Sequence, residues 1–193
     1  GKLVDIGREL VEQQTVRPPR DRALRQGLRR LLPRRSLFTA LLRLGQAVRP
    51  LAPAGLRHKI PARSNALPWP KPARSARKVL MLEGCVQPGL APEINVATAR
   101  LLAQLGIELV RTPEAGCCGA ISQHLAASAE AAEYMRRNID TWWPHIEAGT
   151  EAVLVNASGC GVQVKQYGYL LRNDQAYAEK AARVSALAKD PVE

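Results

Sequence analysis

Val79-Leu80-Met81-Leu82, followed closely by Gly84-Cys85, is a short apolar run closed by a turn residue, and it reads as a buried strand. The same pattern recurs twice downstream. Ile107 to Val110 is a second apolar run, leading into Glu114-Ala115-Gly116-Cys117-Cys118-Gly119. Ala152 to Val155 is a third, leading into Asn156-Ala157-Ser158-Gly159-Cys160-Gly161. Helical stripes separate them. Ile94, Ala97, Leu101 and Leu105 share one face over residues 91–105, with Gly106 as the stop. A helix follows over about 120–136, in one piece or two, with Ser128 as a candidate cap. Trp142, Trp143 and Ile146 mark a further short helix closing at Gly149, and helices over about 162–171 and 174–188 finish the chain. The expected fold class is therefore α/β, a small parallel sheet with flanking helices.

The placing of the cysteines is the informative feature. Cys85, the Cys117-Cys118 pair and Cys160 each fall just beyond the carboxyl end of an expected strand. In an open parallel sheet those ends share one edge, where ligands bind, so four distant thiols should converge. Each sits beside glycine: Gly84 before Cys85, Gly116 and Gly119 around the pair, Gly159 and Gly161 around Cys160. Glycine lets backbone approach a bulky iron–sulfur cluster and donate N–H to its sulfur, and the five glycines are candidate cofactor-binding positions on that ground. Cys117-Cys118 and Cys160 also precede helices, whose positive ends favour thiolate.

Other readings of the four cysteines stay open at this level. Buried small hydrophobes would not all fall on glycine-flanked loops. A Cys₄ zinc site is a fairer rival, although adjacent cysteines are awkward for one tetrahedral ion and the paired C-x₂-C spacing is missing. A regulatory disulfide through the vicinal pair is a third. His124 and His145 read as helix-face residues, and Trp142 and Trp143 as core or docking residues. Lys165 and Tyr167 could line a cluster's edge or simply cap a helix. No Ser-His-Asp set, P-loop or GxGxxG is present, and no catalytic residue is expected in this chain.

The 193 residues suit one ordinary domain with an appendage, and their charge is unevenly spread. Residues 1–77 hold 18 Lys and Arg against 4 Asp and Glu, a balance of +14, while the remainder stands at −3. Three amphipathic helices are expected in the basic part, over 2–15, about 21–32 and about 36–48. Pro50, Pro53, Pro61, Pro68, Pro70 and Pro72 then punctuate a mostly irregular stretch. The organisation expected is a basic helical arm over 1–49, a Pro-rich linker over 50–77 and a cysteine-rich domain over 78–193. The arm's arginines lie opposite leucines with a single aromatic, Phe38, among them and no stacking series, which disfavours nucleic acid. Docking of its leucine faces on the body or a partner subunit is the main reading, and attraction to an anionic membrane surface the second. No signal peptide or membrane span is evident, so a cytoplasmic protein is expected, with peripheral contact at the inner face of the membrane as an option. The opening at Gly1, within a helical pattern, reads as a fragment or processed chain.

Cys85, then Glu114-Ala115-Gly116-Cys117-Cys118-Gly119, then Ala157-Ser158-Gly159-Cys160-Gly161 together resemble the cysteine-rich CCG domain. That family includes heterodisulfide reductase B subunits and iron–sulfur subunits of 2-hydroxy acid oxidoreductases. Val4-Asp5-Ile6-Gly7-Arg8, Leu80 to Cys85, Asn138 to Pro144 and Val164-Lys165-Gln166-Tyr167-Gly168 narrow the resemblance to iron–sulfur subunits of bacterial glycolate oxidases. The resemblance implies electron transfer from FAD in partner subunits towards quinone as glycolate becomes glyoxylate. It also implies Cys85, Cys117, Cys118 and Cys160 as cluster ligands. The family's fullest motif ends in C-x-x-C, but Ala157 replaces the first of that pair, so an ordinary [4Fe–4S] cluster is the simpler expectation. Neither the N-terminal ferredoxin-like region nor the second CCG domain of full-length relatives is present in these residues. A zinc-stabilised or metal-free docking module is the alternative.

Overall fold

A computed structural model describes residues 2–64, 68–71 and 75–193; Gly1 and Pro72 lie outside them. The sheet has four strands: β1 (Lys78–Met81), β2 (Glu108–Arg111), β3 (Ala152–Leu154) and β4 (Ala188–Lys189). They run in the order β2-β1-β3-β4 and every pairing is parallel. Val79 pairs with Leu109 on one side and Ala152 on the other, so the first apolar run forms an interior strand. The α/β expectation therefore holds, with one strand more than the sequence disclosed.

Alternation along the strands sorts side chains to two cores. Val79 and Leu154 join Leu102 and Ile107 beneath α6 (Pro92–Gln104), the crossover from β1 to β2. Leu80, Leu82, Val153 and Val155 face the larger core, built with Met135, Ile139, Trp142, Val164, Tyr167 and Val184. These come from α8 (Ser128–Glu147), α9 (Ser158–Lys165), α10 (Tyr167–Leu170) and α11 (Ala178–Leu187).

Three local expectations need correction. The helix around Trp142 is no separate element, because α8 continues through Pro144 to Glu147. Met135, Ile139, Trp142 and Ile146 form one buried stripe, and that packing outweighs the hydrogen bond Pro144 cannot make. Ser128 does not cap α8: Ala127 is the N-cap, and the Ser128 hydroxyl donates to Glu9 instead. The final helix stops at Leu187, where Ala188 and Lys189 pair with β3 and the Val155 N–H donates to the Lys189 carbonyl at 3.0 Å.

The basic residues form α1 (Lys2–Gln14), α2 (Pro19–Leu31) and α3 (Arg35–Val48), then a short turn of 3₁₀ helix and α4 (Ala54–Arg57). None of these four helices contains a buried residue. Polar contacts hold them to the body. Arg25 donates to the Leu125 carbonyl at 3.1 Å, and Arg29 pairs with Glu130. Arg35 reaches Glu83 at 2.9 Å. Among the described residues no helix is long and apolar enough to cross a membrane.

Candidate metal centre

All four cysteines lie at the carboxyl edge of the sheet. Cys85 follows β1, and Cys117 and Cys118 follow β2 just before α7 (Ala120–His124). Cys160 stands in the first turn of α9, after β3. All four are free thiols; three are buried and Cys160 is half-buried. The Cys118 and Cys160 sulfurs are 3.1 Å apart, and Cys85 and Cys117 lie near enough for their thiols to perturb one another's ionisation. Sequence separation is thus erased by parallel topology.

The four thiols divide their protons unevenly. Hydrogen bonds from the Cys118 and Cys85 thiols, with lesser help from the Gly119 N–H and the Arg137 charge, hold Cys117 at about 3. Cys160 is lowered by its bond with Cys118. Cys85 and Cys118 are raised, first because each shares its proton with Cys117 and then, in Cys118, with Cys160; burial adds to both. Thiolates are the metal-binding form, so at least one ligand stands ready without losing a proton.

Two observations bear on whether a metal group fits. The donor set is four thiols on three separate loops, which is the ligand chemistry of iron–sulfur or zinc sites. Among the described residues, Gln163 Nε2 is the buried side-chain nitrogen or oxygen that lacks a hydrogen-bond partner. It follows Cys160 by three positions, on the same face of α9. An orphaned donor about one helical turn from Cys160 matches an acceptor such as sulfide. The thiols do not form a cage, however: no three His, Cys, Asp or Glu side chains among the described residues surround a metal-sized point. Side-chain rotation would have to spread them.

Against known proteins, residues 79–165 match the family model described as the cysteine-rich domain, CCG. The cysteine-bearing body is thus similar to a CCG domain. Over 192 residues it is 53% identical to the glycolate oxidase iron–sulfur subunit of Escherichia coli K12, covering 99% of this chain and 47% of that one. It is 31% identical over 169 residues to the probable glycolate oxidase iron–sulfur subunit of Bacillus subtilis 168, covering 86% of this chain and 34% of the relative. A lactate utilization protein A from Bacillus licheniformis is 31% identical over 109 residues, 56% of this chain and 43% of that protein. The chain thus spans less than half the length of these relatives. No solved structure matches it.

The cysteine pair is clamped from behind by Asn138, to which the sequence reading gave no role, and by Tyr167, which neither lines a cluster edge nor caps a helix here. Asn138, fully buried in α8, accepts from the Gly116 N–H at 2.9 Å and donates to the Cys117 carbonyl at 2.9 Å. Its second N–H goes to the Tyr167 hydroxyl at 3.1 Å, and that hydroxyl donates to the Cys118 carbonyl at 2.9 Å. Burial pushes the Tyr167 phenol well up, so it remains a donor. With both carbonyls turned to this clamp, the Gly119 N–H faces the Cys117 sulfur at 3.4 Å. A polar residue on the apolar stripe of a long helix was the available signal for Asn138.

The Cys85 loop has its own clamp. The Glu83 carboxylate, 3% exposed, pairs with Arg35 and Arg111, while Asn95 donates to the Glu83 carbonyl. Asn156 donates to Asn95 at 2.8 Å and so ties the loop after β3 to the loop after β1. Of the five glycines, Gly84 and Gly119 have φ of +82° and +88°, which L side chains rarely adopt. Gly119 also approaches the Ala131 carbonyl closely. An added Cβ at Gly116 would meet the Arg137 side chain, whereas Gly159 and Gly161 have room. Lys165 pairs with Glu193.

Proposed function

We propose that this chain is an electron-transfer part of a flavin-dependent 2-hydroxy acid oxidase, with glycolate the first substrate to test. Cys85, Cys117, Cys118 and Cys160 are its proposed ligands to an iron–sulfur cluster of the [4Fe–4S] type. The observation that carries this reading is the meeting of four free thiols at the carboxyl edge of the sheet. The relatives' names supply the substrate class. When bound, such a cluster would supply one-electron storage.

The chain's own residues would do the rest. The Asn138–Tyr167 clamp holds the paired cysteines in place, and the buried loops exclude water. Gly84, Gly116, Gly119, Gly159 and Gly161 keep backbone near the thiols, and Gln163 contributes a donor. Substrate oxidation is assigned to flavin-containing partner subunits, with quinone as the proposed acceptor. Peripheral attachment at the inner face of the cytoplasmic membrane follows from that acceptor. Residues 1–49, 50–77 and 78–193 serve as arm, linker and cluster domain.

The test is iron, sulfide and zinc content with the visible spectrum, on chain purified without oxygen, beside Cys118→Ser. About four iron and four sulfide per chain, lost in the variant, support the reading. Stoichiometric zinc in a colourless protein would make the domain a scaffold and overturn it.

A further inference from the structure

The basic arm, +8 over residues 1–49, reaches the cysteine loops only through Arg35 on Glu83, yet its third helix walls a cleft near the cysteine edge. Arg34, Arg35, Leu37 and Arg43 form one wall, and Gly84, Glu114, Gly116 and Arg137 are among the residues of the body that close the 880 Å³ space. Gly84 and Gly116 are the immediate neighbours of Cys85 and Cys117, so the cleft floor lies one residue along the chain from two of the buried thiols, although no cysteine lines it.

Charge is left over in the cleft, and an apolar stripe runs on from Leu37 of its wall along α3. Elsewhere on the arm Arg8 pairs with Asp5, Arg17 and Arg25 with Glu12, and Arg29 with Glu130, while Arg20, Arg22, Arg30 and Arg49 make no salt bridge among the described residues and lie off this cleft. Arg35 pairs with buried Glu83. Arg34, Arg43 and Arg137 make no salt bridge among the described residues, and Glu114 is the carboxylate on the lining. The helix itself sits the opposite way from a typical surface helix. Phe38 and Thr39 pack on Gly89 of α5 (Gln87–Leu90). Leu37, Leu41, Leu44 and Val48 point outward, 41, 47, 62 and 47% exposed. An apolar stripe with an arginine rim is the composition of a protein interface.

We propose that the outer face of α3 and this cleft dock an acidic protein surface, that of the electron-exchanging subunit. The proposal rests on the function proposed above, because it takes the cysteine edge as the place electrons enter or leave. Complementarity requires carboxylates opposite Arg34, Arg43 and Arg137 and an apolar centre opposite Leu41. A bilayer is flat on this scale: it would reach the leucine stripe but not Arg137 across a concavity. A small anion would need an enclosed floor with converging donors, whereas these arginines are exposed on an open rim.

The test is surface-immobilised binding of the co-purified flavin-containing subunits to the full chain, between 20 and 300 mM salt. Variants are Arg34→Glu with Arg43→Glu, Leu41→Asp, and Arg183→Glu on α11, outside the lining, each checked for folding by circular dichroism. The charge reversal is expected to slow association about tenfold at low salt, with the gap closing as salt rises. Leu41→Asp should speed dissociation, and Arg183→Glu should change neither rate. Unchanged association in the double variant overturns the proposal, as does wild-type chain that binds no flavin subunit. Phosphatidylserine vesicles or citrate saturating the chain through these arginines, without subunit binding, would overturn it too. Iron content is measured on the same samples. Colourless chain that still docks would sink the cluster reading and leave the docking surface standing.

Discussion

Tyr167→Phe removes one oxygen atom from the centre of the clamp behind the cysteine pair, with no change of shape. Two buried groups then lose their partner: the Cys118 carbonyl, which accepts from the hydroxyl at 2.9 Å, and one Asn138 N–H, which donates to it at 3.1 Å. Tyr167 and Asn138 are both fully buried, so water does not replace the lost bonds. A buried polar group left unsatisfied costs about 1–3 kcal/mol. With two such groups, and some relaxation between them, the expected loss is about 2–4 kcal/mol. For a chain of this size that lowers Tm by roughly 5–15 °C. The assay is urea unfolding of the cluster-free chain, followed by tryptophan fluorescence from Trp142. Amide exchange at Gly116 should accelerate in the same variant, because its acceptor Asn138 is then held by one anchor fewer. A loss below about 0.5 kcal/mol with unchanged exchange at Gly116 refutes the clamp.

The remaining expectations can be checked on the same preparations. Gln163→Leu removes the orphaned Nε2 donor, so the cluster-free chain should gain about 1 kcal/mol while the reduction potential of the loaded chain falls; urea unfolding and redox titration read the two effects. His124 is held below its usual 6.5 by burial and, secondarily, by the Arg8 charge, with Asp5 opposing. The folded chain therefore takes up this proton less readily than the unfolded chain, and stability should fall as pH drops below about 6.5. Wild type and His124→Gln, unfolded in urea at pH 7.5 and pH 5.5, should diverge in that direction. Because Cys117, at about 3, is already a thiolate, cobalt(II) uptake at pH 7 should release fewer than four protons per chain, measured by calorimetry in buffers of differing ionisation enthalpy.

The site was more legible than its supports. Val79 to Leu82 and Ala152 to Val155 announce themselves because strands covered on both faces are continuously apolar, and parallel order then carries their following cysteines to one edge. β4 left no such mark: two residues, Ala188 and Lys189, become a strand through pairing with β3 alone. The sequence suggests separate helices over about 120–136 and around Trp142, but the buried stripe of Met135, Ile139, Trp142 and Ile146 carries α8 unbroken through Pro144. Asn138 and Tyr167 meet across 29 positions, and neither residue type nor spacing announces a hydrogen bond to a cysteine carbonyl. Nothing in the sequence marks Glu83 as buried, because its burial rests on pairing with Arg35 from the arm and Arg111 from β2. Composition also could not say which side of α3 would face outward. That depends on Phe38 fitting against Gly89 rather than on the leucines.

The central claim is that four thiols from three loops act as one ligand set. The most direct measurement is iron and sulfide content, by colorimetric assay, in the four single variants Cys85→Ser, Cys117→Ser, Cys118→Ser and Cys160→Ser, purified without oxygen. The account predicts that each variant loses most of the iron and sulfide of the wild type while keeping its far-ultraviolet circular dichroism. A folded variant that retains the full wild-type iron and sulfide would remove that cysteine from the set and contradict the account.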